Sequence, residues 1–146
     1  MKSMLLIVDA NVLFSSLITK GKTAELIVSP KLKLTAPEYL LVELNENREL
    51  LARKTRLSKE EFDAFLGVVM RRIKFVKEKY FSEFLKEAKE ISPEEDFPYV
   101  ALALKLKSLG FEAKIWSNDK ELKKALEGKI EVLTTKEILE RLRINL

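Results

Sequence analysis

The sequence predicts an α/β fold, a three-layer α/β/α sandwich built on a mostly parallel central sheet of about five strands. Short apolar runs of strand length alternate with longer amphipathic stretches along the whole chain. The first of these runs, Met4–Val8, is apolar at every position, as expected of a strand covered on both faces. No repeat, low-complexity segment or linker divides the 146 residues, so a single domain over 1–146 is expected.

The expected strands are Met4–Val8, Leu32–Thr35, Ile73–Val76, Ala113–Ser117 and Ile130–Leu133. A helix is expected over Pro37–Arg53, with proline at its first position, where a missing N–H costs nothing. The next, "SKEEFDAFLGVVMRR", opens with a capping box in which Ser58 is followed three residues on by Glu61. "YFSEFLKEAKE" is amphipathic, and "SPEEDFPYVALALKLKSLG" reaches a stop at Gly110. "DKELKKALEG" and "TKEILERLR" complete the set as two short helices.

Composition excludes much chemistry. The chain has no His and no Cys, which removes Ser-His-Asp triads, cysteine nucleophiles, imidazole bases and the usual zinc ligands. An enzyme of this composition would work through carboxylates, helped by Lys, Ser, Thr or Tyr. Ligation by oxygen alone favours a hard ion such as Mg²⁺ or Mn²⁺. No apolar run approaches the roughly 20 residues that span a bilayer or forms a signal peptide, so a soluble, cytoplasmic protein without membrane contact is expected. The net charge of +4 is concentrated: Arg48 to Lys79 holds ten basic and five acidic residues. Such a surface suits a polyanion, or is a solvated helical face.

Four acids are expected at one rim. In a parallel sheet the carboxyl ends of the strands form the ligand-binding edge. Asp9 follows the first strand and Asp119 the fourth. Asp96 lies at the start of the helix leading to that fourth strand, hence at the same edge. Glu43 interrupts the apolar "YLLVEL" about two turns, or about 9 Å, into the helix after the second strand. Each has an ordinary role open to it as well. Asp9 and Asp119 could cap helices, Asp96 could favour a helix dipole, and Glu43 could pair with an Arg. Ser92 and Glu95 could form a capping box of their own, and Glu94 and Glu95 read as surface acids rather than outer metal ligands. Together, however, four carboxylates at one rim repel, and a divalent cation relieves that repulsion.

The residues resemble the PIN-domain nucleases, in the VapC-like prokaryotic and archaeal group. The resemblance runs through "VDANVLFSSL" with Asp9, "YLLVELNE" with Glu43, "EEDFPYVALALKLKSLG" with Asp96 and "IWSNDKEL" with Asp119. It implies that Asp9, Glu43, Asp96 and Asp119 are catalytic and metal-binding, with Asn11 and Ser117 as polar support. It also implies Mg²⁺- or Mn²⁺-dependent hydrolysis of phosphodiester bonds, usually in single-stranded RNA. A homodimer or higher homo-oligomer and an antitoxin partner of the VapBC type are further implications. Arg53, Lys54, Arg56, Arg71 and Arg72 are expected to contact RNA phosphates. Trp116, Phe14 and Tyr99 are expected to pack in the core rather than stack on bases or take part in catalysis. A PIN-like module that binds RNA or protein without cutting is the alternative. An aspartyl-phosphate protein fits poorly, because Asn11 stands where a dehalogenase-like phosphatase needs its second acid.

Overall fold

The computed structural model describes residues 3–19 and 21–144. Five parallel strands lie in the order β3-β2-β1-β4-β5. They are β1 (Met4–Val8), β2 (Leu32–Pro37), β3 (Ile73–Val76), β4 (Ala113–Trp116) and β5 (Val132–Leu133). The helices are α1 (Ala10–Ile18), α2 (Lys22–Ile27), α3 (Tyr39–Lys54), α4 (Lys59–Arg72), α5 (Leu85–Ile91), α6 (Phe97–Ser108), α7 (Lys120–Ala125) and α8 (Thr135–Ile144). The predicted sandwich is therefore observed, and its sheet is parallel at every pairing.

Right-handed crossovers put the helices between β1, β2 and β3 on one face of the sheet. There α1 packs against α2, α3 and α4. The connection from β3 back to β4 lies on the other face, where α6 covers β1, β2 and β4. Leu6, Ile7 and Val8 are fully buried between the two layers, which accounts for a strand without polar alternation. Pro98 to Ala103 are all buried too, so the first turns of α6 are enclosed on every side. Among the described residues no helix is long and apolar enough to cross a membrane.

Local signals hold at several ends. Ser58 and Glu61 form the reciprocal capping box of α4. Gly110, at φ 88°, ends α6: its N–H donates to Lys107 O and that of Phe111 to Leu106 O, the paired bonds of a Schellman stop.

Three expectations change. Pro37 is the last residue of β2 rather than the first of a helix, and α3 begins at Tyr39. Pairing with β1 has already ended at Thr35, and the next N–H, of Glu38, donates to Val76 O on β3. The proline thus sits where its missing donor interrupts no ladder. β5 is only Val132–Leu133, because Ile130 still donates back to Leu126 O in the turn after α7. "YFSEFLKEAKE" begins in 3₁₀ turns, Glu78–Tyr80 and Ser82–Phe84, and becomes α-helical only at Leu85.

Candidate active site

The chain leaves β1 toward β2 and leaves β4 toward β5, in opposite directions from two adjacent strands. This is the switch point where an open parallel sheet leaves a crevice at its carboxyl edge. Asp9 and the segment Ser117–Asp119 flank that crevice, since Val8 and Trp116 are paired neighbours.

Asp9 is 5% exposed. It occupies the N-cap position of α1 in extended conformation, yet its side chain makes no capping hydrogen bond. Its Oδ2 instead accepts the hydroxyl proton of Ser117 at 2.7 Å. Ser117, fully buried, also accepts the Asp119 N–H at 3.1 Å, so one hydroxyl ties two of the acids together. Burial raises the Asp9 carboxyl above its ordinary range, against the pull of Ser117 and the N–H dipoles of Asn11 and Ala10.

Asp119 does cap its helix. Its Oδ1 accepts from Glu121 N at 2.9 Å and more loosely from Leu122 N at 3.4 Å. Capping and a second role are compatible for a carboxylate, because it has two oxygens.

Glu43 enters from α3, half-buried, and accepts a hydrogen bond on Oε1 from the Tyr99 hydroxyl of α6. Burial raises its carboxyl, Tyr99 opposes the rise, and the charges of Asp9, Glu95 and Glu46 add to it. Burial first, and then the same contact, pushes the Tyr99 hydroxyl far above its usual range, so it stays a donor. Tyr99 was expected only to pack; it is buried, but it also holds an acid. A tyrosine in the otherwise apolar "PYVALAL", three residues after Asp96, was the available signal. A buried Tyr O–H almost always finds a partner.

Asp96 makes no capping bond and stands at the start of α6. Its carboxyl is pushed up to about 6, first by burial and then by Asp9, Asp119, Glu43 and Glu95. The predicted acids therefore share one electrostatic environment at one edge. Among the described residues no three of them converge closely enough to hold a metal ion as they stand. Their chemistry still fits a hard divalent cation. The donors are all oxygens, Asp96 is raised by the charges of the other three acids, and burial makes that charge costly. Glu95 is exposed, and the Glu94 side chain lies outside the described residues.

The supporting residues divide. Ser117 holds Asp9 as described. The Asn11 side chain has no hydrogen-bond partner among the described residues; it is exposed and lines two clefts beside the acids. Trp116 is fully buried and gives its indole N–H to Thr135 Oγ1 at 3.0 Å, which is a core role. Phe14 is half-buried against the core.

Arg72 has a different task from the one expected. Its guanidinium donates to the carbonyls of Ile27, Ser29 and Leu32, tying the end of α4 to the start of β2. That is the amino edge of the sheet, away from the acids, and the neighbouring Arg71 lies at the same end of α4. Arg53, Lys54 and Arg56 remain exposed at the end of α3.

Residues 7–143 match the family model of the PIN domain. Among solved structures, one chain of the crystal structure of VapBC2 from Rickettsia felis bound to a DNA fragment from their promoter resembles this one. The TM-score is 0.58 at 15% identity, over 90% of this chain and 98% of that chain, a likeness of fold. No curated protein matches the sequence.

Proposed function

The chain belongs to the PIN-domain family, and from that premise we propose that it is a Mg²⁺- or Mn²⁺-dependent endoribonuclease acting on single-stranded RNA. The observation that carries the proposal is the crowding of Asp9, Glu43, Asp96 and Asp119, expressed in an Asp96 carboxyl pushed up to about 6. Acids raised by burial and mutual repulsion are a common property of functional sites.

Asp9, Glu43, Asp96 and Asp119 would hold the cation. When bound, it supplies Lewis acidity at a phosphodiester and a water of lowered pKa. The chain's own part is to set up that arrangement. Ser117 orients Asp9 and keeps Asp119 beside it. Tyr99 orients Glu43 from the opposite layer. Asp96, raised to about 6 by burial and its acidic neighbours, is an acid whose ionisation a cation favours. The burial of Asp9 keeps bulk water from one side of the site. Arg53, Lys54 and Arg56 would contact RNA phosphates.

The likeness to a VapBC2 chain favours the toxin of a toxin–antitoxin pair as the biological setting, with an antitoxin protein as partner; a homodimer is the further partner that the family resemblance implies. The alternative, a PIN-like module that binds RNA or protein without cleaving, differs in one observable. Purified protein is incubated with a panel of single-stranded RNAs and Mg²⁺ or Mn²⁺, beside Asp9→Asn and Asp96→Asn. Cleavage by the wild type alone supports the nuclease. Metal binding with no cut RNA supports the module, and equal cleavage by both variants places the chemistry elsewhere.

A further inference from the structure

A groove of about 350 Å³ runs between α1 and α3, within the size range of ligand sites. Asn11, Phe14 and Ile18 line it from α1, and Asn47, Leu51 and Lys54 from α3. These positions follow from helical periodicity. On α1 they recur at intervals of three and four residues, and on α3 Asn47, Leu51 and Lys54 continue the face that begins at Glu43.

At Asn11 the groove adjoins a second cleft, which Asp119 lines together with Val12 and Asn118. The groove's far end is Lys54, eleven residues beyond Glu43 and so about 16 Å along the helix. The two helices are fastened together there: Thr55 Oγ1 donates to Leu17 O at 2.6 Å and Arg56 N to Ile18 O at 2.9 Å. The walls are thus fixed at that end.

The lining has a consistent chemistry. Among the described residues no carboxylate lines it, although Asp119 lines the adjoining cleft and Glu46 and Glu49 lie elsewhere on α3. Phe14 and Leu51 give apolar wall. Asn47 donates to Glu43 O at 2.8 Å through Nδ2, which leaves its amide oxygen as an acceptor, and the Asn11 amide is unpartnered among the described residues. A cation closes the far end. Aromatic wall, amide groups and a terminal lysine are the groups that hold an unstacked base and the phosphate beside it.

We propose that the α1–α3 groove is the track for the single-stranded RNA segment on one side of the cut. A base lies against Phe14, its edge meets Asn11 and Asn47, and a backbone phosphate meets Lys54. This rests on the ribonuclease reading and adds where the strand runs.

The test is equilibrium binding of a fluorescently labelled single-stranded RNA of mixed sequence to the full chain, in EDTA and over a range of salt. Lys54→Met should lower the slope of log K against log salt by about 0.7, the loss of one phosphate contact to a single strand. Phe14→Leu should weaken binding about fivefold, the lower end of base–aromatic stacking. Ser15→Trp, at an exposed position on the groove wall, should weaken binding by obstruction while circular dichroism stays that of the wild type. Lys86→Met, on α5, is the charge control and should change nothing. Unchanged binding and slope in all three groove variants, or an equal loss in the Lys86 control, overturns the track. If the wild type cleaves RNA while the groove variants bind normally, the track falls and the nuclease stands. If the wild type binds through the groove but cuts nothing, the nuclease falls and the track stands.

Discussion

The Tyr99 hydroxyl donates a hydrogen bond to Glu43 Oε1, joining α6 on one face of the sheet to α3 on the other. It spans the sheet at the edge where the acids gather, and it fixes one oxygen of the acid that has the longest side chain to immobilise. Removing the hydroxyl alone, as Tyr99→Phe, should cost about 1 kcal/mol of stability. It should also weaken Mn²⁺ binding about tenfold, as loss of an outer-shell partner does. Calorimetric titration with Mn²⁺ checks the second effect; unchanged affinity would reduce Tyr99 to packing.

Asp96 makes metal-free stability depend on pH with a definite sign. Its folded-state carboxyl titrates at about 6, above the ordinary 3.8. The folded protein therefore keeps a proton that the unfolded chain has lost, and this contribution to stability is full below about 4. It is lost as pH rises through 6. Denaturant unfolding in EDTA from pH 4 to pH 8 should show that decline, and Asp96→Asn should reduce it, leaving the part that the raised Asp9 and Glu43 carboxyls contribute. At pH 7 the variant should be more stable than the wild type by on the order of 1 kcal/mol.

A bound cation should reverse this trend. At a hundred times its Kd, Mg²⁺ or Mn²⁺ should stabilise the wild type by about 2.7 kcal/mol. Asp96→Asn and Asp9→Asn should gain far less, and both should lose cleavage by about a hundredfold or more, equivalent to about 2.7 kcal/mol of barrier. Thermal melts with and without the ion, beside RNA cleavage rates, measure both quantities on the same samples.

Ser117→Ala removes the donor to Asp9 and the acceptor of the Asp119 N–H in one change. A buried carboxylate left without its partner should cost about 1–3 kcal/mol. Ser117→Thr keeps the hydroxyl and should restore metal affinity better than it restores stability, because its extra methyl enters a fully buried site. Equal metal affinity in the wild type and the alanine variant would show that Asp9 needs no orienting.

Arg72→Met should destabilise by about 1–3 kcal/mol, since three carbonyls lose a charged donor. RNA affinity and its salt slope should not move. A reduced salt slope in a folded Arg72→Met protein would return this residue to the RNA-contacting group.

Much of this was legible in the chain because it depends on local rules. Met4–Val8 and Ile73–Val76 are strands with the expected ends. The Ser58–Glu61 box and the Gly110 stop follow from backbone groups that must be satisfied within a turn. The edge on which Asp9, Glu43, Asp96 and Asp119 lie follows from the direction of parallel strands and of the helices between them. Pro37 suits a helix start and a strand end equally well, and pairing with Val76 decided for the strand. Arg72 lies in a basic run whose purpose could not be read from charge alone.

Hydrophobic period and chain direction are properties of the chain, and they account for the strands, most of the helices, the acid inventory and the edge at which those acids were to be expected. Tertiary structure alone decided the strand order that opens a crevice between β1 and β4. It also made Ser117 the tether between Asp9 and Asp119, Tyr99 the brace for Glu43 and Arg72 an internal strut. The reason is physical: a buried hydroxyl, carboxylate or guanidinium must be matched by whichever partner packing brings near, and that partner can lie anywhere along the chain. Ser117 and Asp9 are 108 residues apart in sequence and 2.7 Å apart in space.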